Sequence, residues 1–446
     1  MTESVAADAA PVTMPETQRP APTHDPGFLR QRRTALVLLF LAFTFSIMDR
    51  QIVSILAEPI KLEFGLSDTQ LGFLGGLAFA AFYVTLGLPL AMMADRGGRK
   101  TIITFSLATF SAMTAICGLA QNFWHLLLAR FGVGIGEAGV NPSSHSILAD
   151  YYPPEKRSGV MSIIALGANV GMLLGLVLGG FVAHQYGWRA AFFVVGLPGV
   201  LLALAVHFFL KEAPRGFSEG RASAAVEPPP LRESVAYFWS NRAMRHLIAA
   251  SMVAATISYG MGQWQPAFFM RSFGLTPAQV GVMLAGVFGV MGGLGAVTGG
   301  WLTDRLQQRR VPWGVWMIAV SQLVMIPFQI AAFLSSSPYV ALALFALPAF
   351  LSGFYLGPSL ALVQSLARLR MRSVAAAVKM LCVNLFGLGI GPMLIGVFSD
   401  MLRPSLGQES LRYSLIIFAG AHLWAAVHFY LCGRNLEAGL AEARRD

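Results

Sequence analysis

The sequence predicts an all-α polytopic membrane protein with twelve transmembrane helices in two six-helix bundles. Three observations carry that prediction. Mean hydropathy is +0.62 and only 12% of the 446 residues are charged, about half the share of an average soluble domain. Apolar runs repeatedly reach roughly 20 residues, the length that crosses a bilayer. One long polar interruption, near 211–245, splits the runs into two sets, and short motifs recur in the same order in both. The net charge of +10 does not mark a nucleic-acid surface, because the cations are scattered between apolar runs. Cys117, Cys382 and Cys432 each stand alone in an apolar segment, without metal or disulfide spacing, and read as small core residues.

Taken in order, residues 1–33 read as a disordered tail rich in Pro and Ala, ending in Arg30, Arg32 and Arg33. It lacks the apolar core of a cleavable signal, so the first span is expected to do the targeting. Six spans follow, near 34–57, 69–94, 101–120, 124–149, 158–183 and 189–210, making an N-terminal bundle over 34–210. The linker 211–245 contains EPPP and charges of both signs, and its end, LRESVAYFWSNRAMRHL, fits a short amphipathic helix on the membrane surface. Spans near 246–270, 277–303, 313–334, 338–366, 372–399 and 411–432 make the second bundle over 246–433, and 434–446 form a closing tail. In the fifth span Gly167, Gly171, Gly175 and Gly179 recur every fourth residue, a stripe for close helix packing.

Lys and Arg set the orientation. With twelve spans, only Lys61, Arg189, Arg271, Arg403 and Arg412 fall on one face, while the other loop and tail cations fall on the face that carries both termini. Both termini and the linker are therefore expected in the cytoplasm, in a multi-pass cell membrane (the inner membrane of a Gram-negative cell). The halves also repeat. SDTQLG at 67–72 matches TPAQVG at 276–281, and Asp95–Arg96 matches Asp304–Arg305 at the same offset. Ser67 with Gln70, and Thr276 with Gln279, are capping-box patterns that start a helix.

Function is expected where charge interrupts the apolar runs. The fourth span reads RFGVGIGEAGVNP, with Arg130 and Glu137 on one helix face about 10 Å apart along the axis. The first span carries Asp49–Arg50. Ionisable groups at bilayer depth are costly unless they pair or line a wet cavity. Asp49 with Arg130 and Arg50 with Glu137 is one pairing two helices can make; the sequence leaves open which acid meets which base. Arginine stays charged, so Asp49 and Glu137 are the candidate proton carriers, and Arg50 and Arg130 their partners and the holders of an anionic headgroup. The second bundle offers Gln263, Trp264, Tyr355 and Asn384 as an amide and aromatic wall, with Lys379 as its one embedded cation, either snorkelling or binding substrate. No nucleotide loop, metal spacing or exposed acid–base cluster marks an enzyme, and no cofactor is expected beyond a coupling proton.

On these residues the chain resembles the major facilitator superfamily over about 34–433. AMMADRGGRK is similar to that superfamily's signature loop: Asp95, Arg96, Gly98, Arg99 and Lys100 match, with Ala91 at the leading glycine. GGWLTDRLQQRR keeps Gly300, Asp304 and Arg305. Within the superfamily, MDRQIVSIL and RFGVGIGEAGVNPSSHSILADYYPPEKRS look like the Spinster family. The resemblance implies the major facilitator fold and alternating access around a midplane cavity. It implies proton-coupled transport of lysophospholipids or sphingosine-1-phosphate by Asp49, Arg50, Arg130 and Glu137. It also implies a cytoplasmic gate of Asp95, Arg96, Arg99, Arg157, Asp304, Arg305 and Arg372 latching the bundles. Glu137-Ala-Gly-Val-Asn-Pro142 fits the anion:cation symporters too, so small organic anions stay open as substrates. A non-transporting membrane sensor on the same scaffold is a further alternative. The expected partners are an amphiphilic or anionic small molecule and membrane lipids, with no nucleic acid, and the chain is expected to be a monomer.

Overall fold

A computed structural model describes residues 26–212 and 230–444, without the side chains of Leu88, Ala91, Asp95, Arg96, Pro154, Ser158 and Leu231. Among the described residues there is no strand. The first bundle is built from α1 (Pro26–Phe64), α2 (Asp68–Gly75) with α3 (Leu77–Arg96), α4 (Arg99–Cys117), α5 (Phe123–Glu137) with α6 (Val140–Tyr151), α7 (Pro154–Tyr186) and α8 (Trp188–Phe209). After α9 (Leu231–Ser240), the second follows as α10 (Arg242–Phe273), α11 (Pro277–Leu284) with α12 (Val290–Arg309), α13 (Trp313–Leu334), and α14 (Pro338–Ser352) with α15 (Leu356–Leu366). It closes with α16 (Arg372–Cys382) and α17 (Gly391–Leu406), then α18 (Ser410–Gly420) and α19 (His422–Arg434), before a terminal α20 (Leu436–Ala443). These make twelve columns. Nine stretches of the described residues are long and apolar enough to cross a membrane, and the last of them, Leu369–Arg434, holds two columns. The columns outside that set are 123–151, interrupted at Ala138–Gly139, and 242–273. π-helical turns join α11 to α12 (Ala285–Gly289) and α16 to α17 (Val383–Ile390).

Both expected capping boxes form: Ser67 and Gln70 exchange side-chain and backbone hydrogen bonds at the start of α2, and Thr276 and Gln279 do so at α11. The tail prediction is corrected at its inner end. Residues 1–25 lie outside the described residues, but 26–33 are helical. A proline in the first turn suits a helix start, and Phe28 packs with its ring centroid 5.7 Å from that of Tyr151 while Arg32 sits 4.9 Å over the Tyr152 ring. In the linker, 213–229 lie outside the described residues. The amphipathic segment is α9, which buries Tyr237 and Phe238 and exposes Arg232, Glu233 and Trp239. The Tyr237 hydroxyl donates to the Leu366 carbonyl at 3.0 Å.

The bundles meet at the face remote from the termini. There α2 packs on α17, α7 on α11, and α1 on α10. Two of these seams are so close that only glycine fits. A Cβ on Gly72 would stand 2.4 Å from the Pro392 carbonyl oxygen, and one on Gly281 would stand 2.2 Å from that of Leu176. Gly72 and Gly281 are corresponding residues of the repeated SDTQLG and TPAQVG, so the duplication supplies both seams. Among the described residues, the main contacts of α12, α15 and α16 stay within the second bundle, while α3 meets that bundle at the π-helical turn 383–390. The molecule is closed at the remote face and parted toward the terminal one.

Candidate functional site

The first bundle assembles the four charges. Gly134 and Gly136 let α5 sink against its neighbours: a Cβ on either would stand 2.4 Å from the backbone of Phe79 or Phe110. That approach brings Arg130 and Glu137 onto α1. Arg130 Nη1 donates to Asp49 Oδ2 at 3.0 Å, and Arg50 donates to Glu137 Oε2 from Nε at 2.8 Å and Nη2 at 2.5 Å. The sequence left this pairing open; the structure makes it adjacent acid to remote base, in two parallel bridges with no net charge.

The two bridges differ. Asp49 and Arg130 are 1% and 3% exposed, and the second Asp49 oxygen accepts from the Thr114 hydroxyl. This pair is sealed on every side but one. A void of about 20 Å³, bounded by Arg130, Gln263 and apolar side chains of α1, α2, α5 and α8, adjoins it. Arg50 retains 14% side-chain exposure, while Glu137 beneath it has none. Its guanidinium lies 5.0 Å over the Phe79 ring and 4.9 Å over the Tyr83 ring. Across the divide, Tyr259 of α10 lies within electrostatic reach of Arg50, and Tyr355 within reach of Tyr259. Arg50 is therefore the member of the quartet that faces the space between the bundles.

Glu137 holds its donors on one oxygen. Ser46 Oγ joins Arg50 on Oε2 at 3.1 Å, and Oε1 has no hydrogen-bond partner among the described residues. A buried carboxylate oxygen without a donor is an unmet cost, and a proton placed on Oε1 breaks none of the existing bonds. Thr114 and Ser46 were not anticipated. Their signal is weak, since a lone hydroxyl inside an apolar span more often bonds its own helix backbone, as Thr114 also does with Phe110.

The candidates of the second bundle separate. Gln263 reaches across the seam into the space left by Gly75 and borders the void beside Arg130. Trp264 is corrected: it is 1% exposed, its indole N–H is spent on the Pro392 carbonyl at 2.8 Å, and it packs α10 on α17 rather than lining a cavity. Tyr355 is 6% exposed, at the start of α15, and Asn384 is half-buried in the π-helical turn before α17. Lys379 does not snorkel. It is fully buried between α15 and α16, where its only hydrogen bond among the described residues runs to Ser359 Oγ at 2.5 Å. In this conformation it is sealed from the central space.

The side chains of Asp95 and Arg96 lie outside the described residues. Arg99 works within the first bundle, tying α4 to Asp150 and Ser146 of α6 and to Glu212 beyond α8. Arg157 donates to the carbonyls of Ala149 and Tyr152 at the end of α6, a local cap. Asp304 and Arg372 are exposed, and Arg305 lies over Trp301 of its own helix at 4.9 Å. The clasp between bundles is at the opposite face. Arg271 of α10 bridges Glu58 of α1 at 2.7 Å and Asp68 of α2 at 2.8 Å. Asp68 also takes Lys61 and the Ser399 hydroxyl. Asp400 of α17 accepts the Asp68 N–H at 3.0 Å and the Thr69 N–H and hydroxyl at 2.7 Å each, capping α2 from the other bundle.

Comparison with known proteins agrees with this geometry. The Major Facilitator Superfamily profile matches residues 39–392. An MFS-type efflux pump of Mycolicibacterium smegmatis is 30% identical over 93% of this chain and 96% of its own. The cis,cis-muconate transport protein of Acinetobacter baylyi is 27% identical over 62% and 67%. A crystal structure of a bacterial homolog to the human lysosomal transporter Spinster, in an inward-facing and unoccupied conformation, superposes with a TM-score of 0.84 at 30% identity, covering 92% of this chain and 98% of that one. Profile, fold and charge pattern converge: the chain belongs to the major facilitator superfamily, with a Spinster homolog among its relatives.

Proposed function

We propose that this chain is a proton-coupled secondary transporter that works by alternating access and carries an amphiphile with an anionic headgroup, of the lysophospholipid or sphingosine-1-phosphate kind. The observation that carries the reading is the Arg50–Glu137 bridge. Its cation faces the space between the bundles, and its acid keeps one buried oxygen free of donors. With both termini in the cytoplasm, the remote clasp faces outward and this conformation is open inward. A headgroup that takes Arg50 leaves Glu137 as an unpaired buried charge, which costs about 3–5 kcal/mol. A proton on Oε1 removes that cost, so loading of the anion and protonation of Glu137 go together. Losing the proton returns Arg50 to Glu137 and expels the anion. Asp49, held by Arg130 and Thr114, keeps α5 in register with α1 and so positions Glu137. Opening and closing then exchange the remote clasp for contacts at the terminal face around this fixed site.

Proteoliposomes with an imposed pH gradient test the reading. Wild-type protein is expected to move the amphiphile uphill, and Glu137→Gln to retain only downhill exchange. Uphill movement by Glu137→Gln overturns it, and no flux at all in the wild type returns a sensor. A second reading, transport of small organic anions, draws on the similarity to the muconate transport protein and on the Glu137–Pro142 pattern. Competition decides between them: lysolipids inhibit flux under the first reading, short dicarboxylates under the second.

A further inference from the structure

A cavity away from the charge quartet lies on the outer flank of the second bundle. It is a groove of about 890 Å³ floored by α10, walled by α16–α17 and α18–α19, and closed at the terminal end by α9. That volume lies near the top of the range of about 300–1,000 Å³ that holds a drug-sized ligand. The walls converge at the remote end, where Phe398 and Phe418 meet edge to face at 5.6 Å. Toward the terminal face they part, and the groove widens. Its length is lined by apolar side chains of the three columns, with Met252, Phe386, Ile390 and Leu394 along the floor and wall.

The wide end has a different character. Arg245 lines it beside His246, whose ring faces His428 with the two Nδ1 atoms 2.9 Å apart. Trp239 of α9 and Trp424 of α19, both largely exposed, flank these polar groups. Among the described residues, no carboxylate lines the groove. An apolar trough at bilayer depth, with a guanidinium, imidazoles and indoles at one end, matches an acyl chain with a phosphate above it. Indole rings favour the headgroup level, and juxtamembrane cations favour anionic lipid.

We infer that this groove is a binding site for one anionic phospholipid of the leaflet on the terminal side. One chain lies between α16–α17 and α18–α19, and the phosphate sits at Arg245 and the one outward N–H of the His246–His428 pair. The occupant lies on the flank, apart from the quartet and its transported molecule, so the inference is independent of the proposed function. A bound lipid here wedges α17 against α10 and ties α9 to the membrane surface.

Native mass spectrometry of the purified full chain, released from membranes of equal phosphatidylglycerol and phosphatidylcholine, tests it. Wild-type protein is expected to retain one phosphatidylglycerol. Arg245→Gln is expected to lower the preference for it about fivefold, the effect of one interfacial cation. Ala421→Trp, which fills the groove, is expected to lower retention of either lipid. Three outcomes overturn the inference: retention that ignores headgroup charge in the wild type, a preference unchanged by Arg245→Gln, or a lipid-free dimer. Arg245 lies at the membrane surface, so its variant remains informative even where Ala421→Trp fails to fold.

Discussion

Asp400→Ala is expected to open the remote face. In the closed state this carboxylate caps α2 from the other bundle, taking the Asp68 N–H, the Thr69 N–H and the Thr69 hydroxyl within 3.0 Å. Helix capping alone contributes about 0.5–2 kcal/mol, and bonds to a charged acceptor lie toward the strong end. Asp68 is already neutralised by Arg271 and Lys61, so relief of its repulsion with Asp400 offsets little. The clasp holds only when the face is shut, so its loss of about 2 kcal/mol moves the closed-to-open ratio about 30-fold. Spin labels report this directly. Leu62→Cys and Ser405→Cys place them on exposed residues of opposite bundles at the remote face, in a chain with Cys382 replaced by Ser. Double electron–electron resonance is expected to show a long-distance population in Asp400→Ala that is minor in the parent. An unchanged distance distribution refutes the claim that this cap holds the bundles together.

Other expectations follow from the same contacts. Gly281→Ala forces a methyl against the Leu176 carbonyl, 2.2 Å away, and is expected to favour the remote-open state in the same assay, whereas Gly262→Ala, with open space at its Cβ, is not. Asp49→Asn strands the buried Arg130 and is expected to lower stability by about 3–5 kcal/mol. Glu137→Gln costs less, because Arg50 keeps some solvent exposure; thermal unfolding in detergent ranks the two. Lys379→Met removes a buried amine whose one hydrogen-bond partner among the described residues is a serine hydroxyl. It is expected to raise the unfolding temperature, since apolar replacement of a poorly compensated charge stabilises.

The spans and bundles were legible because hydropathy and repeat spacing are local properties. The quartet was legible because charge at bilayer depth is rare. What the sequence withheld was direction. Lys379 lies where a long side chain can reach the surface, and nothing local says that it turns inward to Ser359. Arg99 sits in a signature loop, yet its partners Asp150 and Glu212 come from elements far along the chain. The remote clasp was missed because Glu58, Asp68, Arg271 and Asp400 each stand just outside an expected span, where a charge reads as ordinary interfacial decoration. A signal was nevertheless present. Of the five exceptions to the charge asymmetry, the structure pairs four with acids: Lys61 with Asp68, Arg189 with Glu63, Arg271 with Glu58 and Asp68, and Arg412 with Glu409. Most cations on the disfavoured face mark ion pairs there.

Coupling itself is read by following protons. With a pH dye trapped in proteoliposomes and no imposed gradient, addition of the amphiphile is expected to drive proton movement in the wild type. Glu137→Gln is expected to abolish that signal while labelled substrate still exchanges. An equal proton signal from Glu137→Gln contradicts the assignment of the proton to Glu137 and the exchange of Arg50 between acid and headgroup.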